Sequence, residues 1–276
     1  MISRMGDPDT APTAELACLD GAIGPASETQ VPVTDEGLLR GFGAFEVIRV
    51  YGGAPFALDD HLDRLEQSAA GLRLPGPVDR GALEHEAAEL LEARGGEAAF
   101  DGCLRIVLTR GGRRLLLTEP LPPTPERIRL GLVTYAPTRV LDGIKSLSDA
   151  ANVLSSELAH ERGFDEALLL TPHGRVLEAP TSSVFWVGAD GTLATPPLDD
   201  HILASITRER VMRLVEVEER NCTPDDIADA SEAFLASTTR EVQPVAAVES
   251  REFAGVGERT RAAAAALRDH IEASLR

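Results

Sequence analysis

Gly143-Ile-Lys-Ser-Leu-Ser-Asp-Ala-Ala-Asn-Val-Leu154 is the stretch from which the fold is best read. It carries Lys145, the single lysine among 27 basic residues, the other 26 being arginine. Arginine stays protonated in proteins, whereas an amine with an adjustable pKa serves as nucleophile or base, so a lone lysine invites a chemical reading. Upstream of it, residues 129–135 read as a strand. Downstream, a helix is expected over 148–162, with Gly163 as its C-cap. A hairpin follows: Glu166-Ala-Leu-Leu-Leu170, a turn at His173-Gly174, then Arg175-Val-Leu-Glu178.

Working outward, Ser183-Val-Phe-Trp-Val187 reads as a strand and about 205–217 as a helix. A strand at 232–236 leads into Ser237-Thr-Thr239, and 262–275 closes with a helix. On the N-terminal side, residues before 57 read as strands and turns, among them Phe45-Glu-Val-Ile-Arg-Val-Tyr51 before Gly52-Gly53. A helix is expected from a cap at Asp59-Asp60, with Leu62, Leu65, Ala69 and Leu72 on one face. A second helix covers about 80–94. A buried strand follows at 104–109, ending in the basic turn Arg110-Gly-Gly-Arg-Arg114. Four prolines between Pro120 and Pro125 can continue neither a helix nor a central strand, which marks a boundary. Strands and helices mixed without strict alternation predict an α+β fold.

The net charge of −18 opposes nucleic-acid binding, which wants a basic face. No apolar run approaches the ~18–20 residues that span a bilayer, and Met1–Leu16 shows no secretory segment. Cys18, Cys103 and Cys222 are odd in number and far apart, which suits a reducing cytoplasm and no metal site. The expectation is a soluble, cytoplasmic, acidic protein. Common motifs are absent: Lys145 follows no phosphate-binding glycine loop, and Gly41-Phe-Gly43 lacks the third glycine of a dinucleotide fingerprint. His85-Glu-Ala-Ala-Glu89 misses the second histidine of a zinc protease, and no G-x-S-x-G elbow occurs.

A lysine able to form an imine with an aldehyde cofactor remains. Pyridoxal phosphate chemistry needs that lysine, a partner for the ring nitrogen and an anion site. Glu178 is a candidate ring partner, the helix at Ser205-Ile-Thr-Arg208 offers backbone amides to a phosphate, and Ser237-Thr238-Thr239 adds hydroxyls.

These residues resemble the class IV aminotransferases, the fold-type IV pyridoxal phosphate enzymes. That group includes D-amino-acid and branched-chain aminotransferases and aminodeoxychorismate lyase. The resemblance runs from about Asp35 to Val245. It is carried by Asp35-Glu-Gly-Leu-Leu-Arg-Gly-Phe-Gly-Ala-Phe-Glu46, His61-Leu-Asp-Arg-Leu65, Lys145-Ser-Leu-Ser148, Gly174-Arg-Val-Leu-Glu178, Thr181-Ser-Ser-Val-Phe185, Ile206-Thr-Arg208 and Pro244-Val245. It implies a small N-terminal α/β domain over 1–118, a proline-rich linker over 119–126 and a larger, β-barrel-like α/β domain over 127–276 that binds the cofactor. It also implies a homodimer, with amino acids and keto acids as substrates.

By position, the resemblance makes Lys145 the Schiff-base lysine and proton shuttle, Glu178 the ring-nitrogen partner and Arg64 the phosphate-binding arginine. Ile206 and Thr207 supply phosphate-binding amides and Thr238 a hydroxyl, while Ser183 stands where the family usually has a cofactor-contacting asparagine. Asp149 stands where the family commonly has a tyrosine that contacts the cofactor. Substrate carboxylate capture is expected from Arg113 or Arg114 in the basic turn, with Arg40 and Thr239 as further candidates. The branched-chain signature Tyr-x-Arg is replaced by Cys103-Leu-Arg105. The first reading is an aminotransferase moving an amino group from a small amino acid to a 2-oxo acid. Aminodeoxychorismate lyase is the alternative, and a non-catalytic ligand-binding protein on this fold is a third reading.

Overall fold

Apolar strands on either side of the proline-rich stretch close into two separate sheets. The computed structural model describes residues 15–96 and 99–276, so the reading that Met1–Leu16 holds no secretory segment falls mostly outside the described residues. The first sheet comprises β1 (Leu16–Leu19), β2 (Ala22–Pro25), β3 (Gly43–Tyr51), β4 (Ala54–Pro55), β5 (Gly102–Thr109) and β6 (Arg114–Glu119). It is antiparallel throughout, in the order β2-β1-β6-β5-β3-β4. Three helices accompany it: α1 (Glu36–Arg40), α2 (Leu58–Gly71) and α3 (Arg80–Gly95).

Side chains alternate across a strand, and β3 and β5 use both faces. Ala44, Ile48, Leu104 and Ile106 pack under Leu62 and Leu65 of α2 and Leu83 and Leu90 of α3. Phe45, Val47, Cys103 and Arg105 point the other way and line a cavity. The register pairs Val47 with Arg105, and Phe45 lies two residues before Val47 on the same face, so these three form one wall.

The second sheet uses β7 (Ile128–Thr134), β8 (Glu166–Leu170), β9 (Ser183–Val187), β10 (Leu193–Thr195), β11 (Glu218–Glu219), β12 (Glu232–Ser237), β13 (Glu241–Val248) and β14 (Arg251–Glu252). Their order is β11-β10-β9-β12-β13-β7-β8, with β14 on β13; β11/β10, β13/β7 and β7/β8 are parallel. Four helices follow the same half: α4 (Ala150–Glu161), α5 (Ile206–Leu214), α6 (Pro224–Asp229) and α7 (Glu258–Ser274). Phe185 and Phe234 stack at 4.8 Å and pack with Val211 of α5 and Leu267 of α7. Trp186 and Leu235 face the opposite core with Ile128 and Leu130. The mixed architecture is the expected α+β class. Among the described residues no helix is long and apolar enough to cross a membrane.

Lys145 ties the halves together. Its carbonyl accepts from Phe45 N at 3.1 Å, Leu147 N donates to Gly43 O at 2.9 Å, and Lys145 N donates to Ser68 Oγ at 3.1 Å. The segment therefore runs as an extra extended piece along β3, although it follows the proline boundary.

Several elements depart from expectation. α2 begins at Leu58, behind Ala57 in a left-handed conformation (φ 58°), and Asp59 and Asp60 sit in the first turn, where the helix dipole favours them. α7 begins at Glu258 rather than 262 because Glu232, from β12, accepts from Thr260 N at 2.8 Å and caps the helix from outside its own sequence. β6 and β13 were not anticipated. Arg114 and Glu119 bound β6 and disguise it as part of the basic turn and the proline boundary. In β13, Pro244 and a register shift between Val245 and Ala247 interrupt the alternation.

Candidate active site

The two sheets enclose a cavity of about 870 Å³, walled by Phe45, Val47 and Arg105 on one side and by Glu178, Ser183 and Thr238 on the other. Lys145 opens into it. Its Nζ lies 4.4 Å from the centre of the Phe45 ring, and burial, then the nearby Arg64 charge, pushes the amine below the usual lysine range. A lysine in that state holds more of its neutral, nucleophilic form.

Glu178 closes the hairpin that begins with β8: Leu169 N donates to Glu178 O at 2.9 Å and Leu177 N to Leu169 O at 2.9 Å. This is the expected hairpin. Its carboxylate accepts from Leu203 N at 3.1 Å, and burial pushes its pKa up to about 7. A carboxyl poised there can share a proton with a ring nitrogen at neutral pH.

Arg64 reaches the cavity from α2. Its Nε and Nη2 donate to the two carboxylate oxygens of Glu46, each at 2.7 Å, and its Nη1 donates to Ala204 O at 3.0 Å. A guanidinium has five N–H groups, so one remains on each terminal nitrogen. Ala204 precedes Ser205, the N-cap of α5, whose hydroxyl accepts from Arg208 N at 3.2 Å. Ile206 and Thr207 open that helix, both buried, and their amides have no acceptor within it. Thr238 and Thr239 line the cavity beyond the end of β12. The hydroxyls of Ser182 and Ser183 are buried there without a partner among the described residues.

Lys145, Arg64, Glu178, Ser183, Thr238 and Thr239 therefore share one cavity, with the start of α5 at its edge. The other predicted substrate residues do not line it. Arg113 pairs with Asp20 at 2.7 Å and Arg114 with Glu86 at 2.6 Å. Arg40 is exposed and pairs with Glu36 at 3.7 Å, although its carbonyl accepts from Ser148, a residue of the wall.

Beyond Lys145 and Arg64, sequence reasoning missed two further arginines that line the cavity. Arg105 donates Nε to Glu119 at 2.9 Å and lies 5.4 Å from the Phe45 ring centre. Arg240 donates to the buried Glu166 at 2.9 Å. The signal for Arg105 was a charge inside the otherwise apolar run Cys103–Leu108. For Arg240 there was none, since its position follows a hydroxyl-rich turn. Tyr135, just after β7, and Asp149 also line the cavity. Asp149 stands at the N-cap of α4 without capping it, and accepts instead from Asn152 Nδ2 at 2.7 Å. Burial raises the pKa of Tyr135, helped by the Glu178 and Asp149 charges, and burial also raises that of Asp149.

Residues 43–248 match the family model of the class IV amino-transferases, a span that holds this whole constellation. The chain belongs to the class IV aminotransferases. A D-alanine aminotransferase of Bacillus licheniformis is 32% identical over 84% of this chain and 88% of its own length. A fold IV-transaminase from Curtobacterium pusillum is 29% identical with a TM-score of 0.81, covering 94% of this chain and 99% of that one. A branched-chain aminotransferase from Thermoproteus uzoniensis is 28% identical with a TM-score of 0.83, covering 94% and 95%. The chain is thus an aminotransferase of fold type IV, in a family whose chemistry depends on pyridoxal phosphate. The cavity suits that cofactor on its own evidence. It offers a lysine amine, a carboxyl near neutrality, two unused Arg64 N–H groups beside a helix start, and orphaned serine hydroxyls.

Proposed function

We propose that this aminotransferase moves an amino group from a small amino acid to a 2-oxo acid, with pyridoxal 5'-phosphate held in the cavity. The observation that carries the reading is the convergence of Lys145, Glu178 and Arg64 on one cavity. Arg64, the amides of Ile206 and Thr207 and the Thr238 hydroxyl would hold the phosphate. Glu178 would hold the ring nitrogen and its proton, Ser183 would add a hydroxyl, and Lys145 would hold the aldehyde carbon. When bound, the cofactor supplies an electron sink for charge developing at the substrate Cα. Lys145 would hold and move the proton at that Cα, a task suited to an amine with a depressed pKa.

Carboxylate capture falls to Arg105, with Thr239 beside it. Among the described residues Arg105 uses only Nε on Glu119, so its terminal nitrogens remain for an oxyanion, and the Phe45 ring supports its plane. Arg40, Arg113 and Arg114 are held in ion pairs away from the cavity of their own chain, which places them second to Arg105. We also propose a homodimer. Leu38 and Leu39 on α1 and Val153, Leu154 and Leu158 on α4 are exposed, and Ser148 joins the end of α1 to the start of α4. A second copy would cover this apolar face.

Borohydride reduction of the cofactor-loaded protein, followed by peptide mapping, should place the adduct on Lys145. An adduct elsewhere, or none, overturns the reading. A panel of L- and D-amino acids with pyruvate or 2-oxoglutarate should then show amino transfer. Release of pyruvate from aminodeoxychorismate without amino transfer would replace it with a lyase.

A further inference from the structure

We propose that Glu46 is a positioning residue which, with His61 beside it, sets the Arg64 guanidinium as a ready phosphate fork before any cofactor arrives; this rests on the cofactor reading above. Glu46 is fully buried on β3, an acid inside the strand face that otherwise packs apolar side chains under α2. One carboxylate oxygen accepts from Arg64 Nε, and the other from both Arg64 Nη2 and His61 Nδ1, all at 2.7 Å. His61 lies three residues before Arg64 on α2, so one helix face presents both donors. Burial opposes ionisation of Glu46, yet the bonds from Arg64 and His61 hold its pKa at about 2. Burial pushes His61 down, which leaves it a neutral ring donating from Nδ1. The Nη1 bond to Ala204 O then ties the guanidinium to the segment that enters α5.

The arrangement is costly unless orientation is what it achieves. Glu46 cancels much of the Arg64 charge, which by itself would weaken attraction for a phosphate dianion. A free arginine side chain, however, has many rotamers, and a fork already aimed loses less freedom when it binds. The two accounts predict opposite signs when the Glu46 charge is removed.

The test titrates the cofactor-free full chain calorimetrically with pyridoxal phosphate, pyridoxal and inorganic phosphate. Glu46→Gln should weaken pyridoxal phosphate and phosphate about tenfold or more, while pyridoxal changes less than about threefold. A pyridoxal phosphate to pyridoxal ratio that is unchanged or raised overturns the proposal. On an Arg64→Lys background, where no fork exists, Glu46→Gln should add no further loss, and a full second loss overturns it. Should the Glu46→Gln chain not fold, NMR of the wild type decides. The Arg64 Nε–H should exchange slowly in the cofactor-free protein, and fast exchange there overturns the proposal. Wild type that shows no preference for pyridoxal phosphate over pyridoxal would instead sink the cofactor reading itself.

Discussion

The two ends of the cavity are built differently. At the Arg64 end every charge has a buried partner: Glu46 lies wholly inside, Arg64 is nearly so, and α2, β3 and the entry to α5 converge on them. At the Arg105 end the Arg105–Glu119 pair is about one-third exposed, and Asp149 is hydrogen-bonded to the Asn152 amide while Lys145 and Arg105 act on it through space. Breaking one side of a buried pair costs about 3–5 kcal/mol, whereas exposed pairs contribute roughly 0–1. The first end is therefore rigid by construction and suits a group that stays through every turnover. The second can exchange its internal partners for an incoming carboxylate.

The largest effect should come where the ends meet. Lys145→Arg keeps the charge but removes the tunable amine, and should lower turnover by at least ~10²–10⁴-fold in a coupled assay. Retained activity would deny the lysine any special place between the ends.

Acid titration should separate two buried carboxylates next. The Glu178 pKa rises from 4.5 to about 7 on folding, so its stabilising share is complete below 4.5 and is lost as pH rises through 7. Glu46 falls from 4.5 to about 2, so its share is present above 4.5 and is lost as pH drops towards 2. Thermal unfolding of the cofactor-free chain should show Glu178→Gln removing a loss of a few kcal/mol between about pH 5 and pH 8. An unchanged slope would place Glu178 in a wetter setting than the Arg64 end.

Arg105→Gln should raise KM for the carboxylate substrate and cut kcat/KM about 10–100-fold, the value of one charge-assisted contact, with cofactor affinity unmoved. A matching loss of cofactor affinity would merge the two ends into one unit. Arg113→Gln, which breaks an exposed pair with Asp20, should change either quantity within about threefold when assayed in the same way. A larger effect would make the basic turn part of a binding site.

The difference between the ends also explains which residues could be read in advance. Lys145 stands out because the sequence holds a single lysine. Glu178 and the helix start after Ser205 are common features that gain meaning only beside it, and Arg64 is legible through the family resemblance. Arg105 is one of 26 arginines. Its place inside the apolar run Cys103–Leu108 sets it apart from Arg113 and Arg114, but it is the pleat of β5 that turns Cys103 and Arg105 to the face shared with Phe45 and Val47. The basic turn drew attention because its charges cluster in sequence, yet Asp20 and Glu86, distant along the chain, occupy them.

By itself the sequence determined the mixed α+β class and the proline break between two sheets, and it singled out Lys145 as the candidate amine, because periodicity, proline geometry and residue type are local properties. Tertiary structure decided that Glu46 orients Arg64, that Arg105 rather than the basic turn faces the cavity, and that Lys145 is laced to β3. Those outcomes depend on strand register and on which distant groups meet in a low-dielectric interior, where an unpaired charge is too costly to keep.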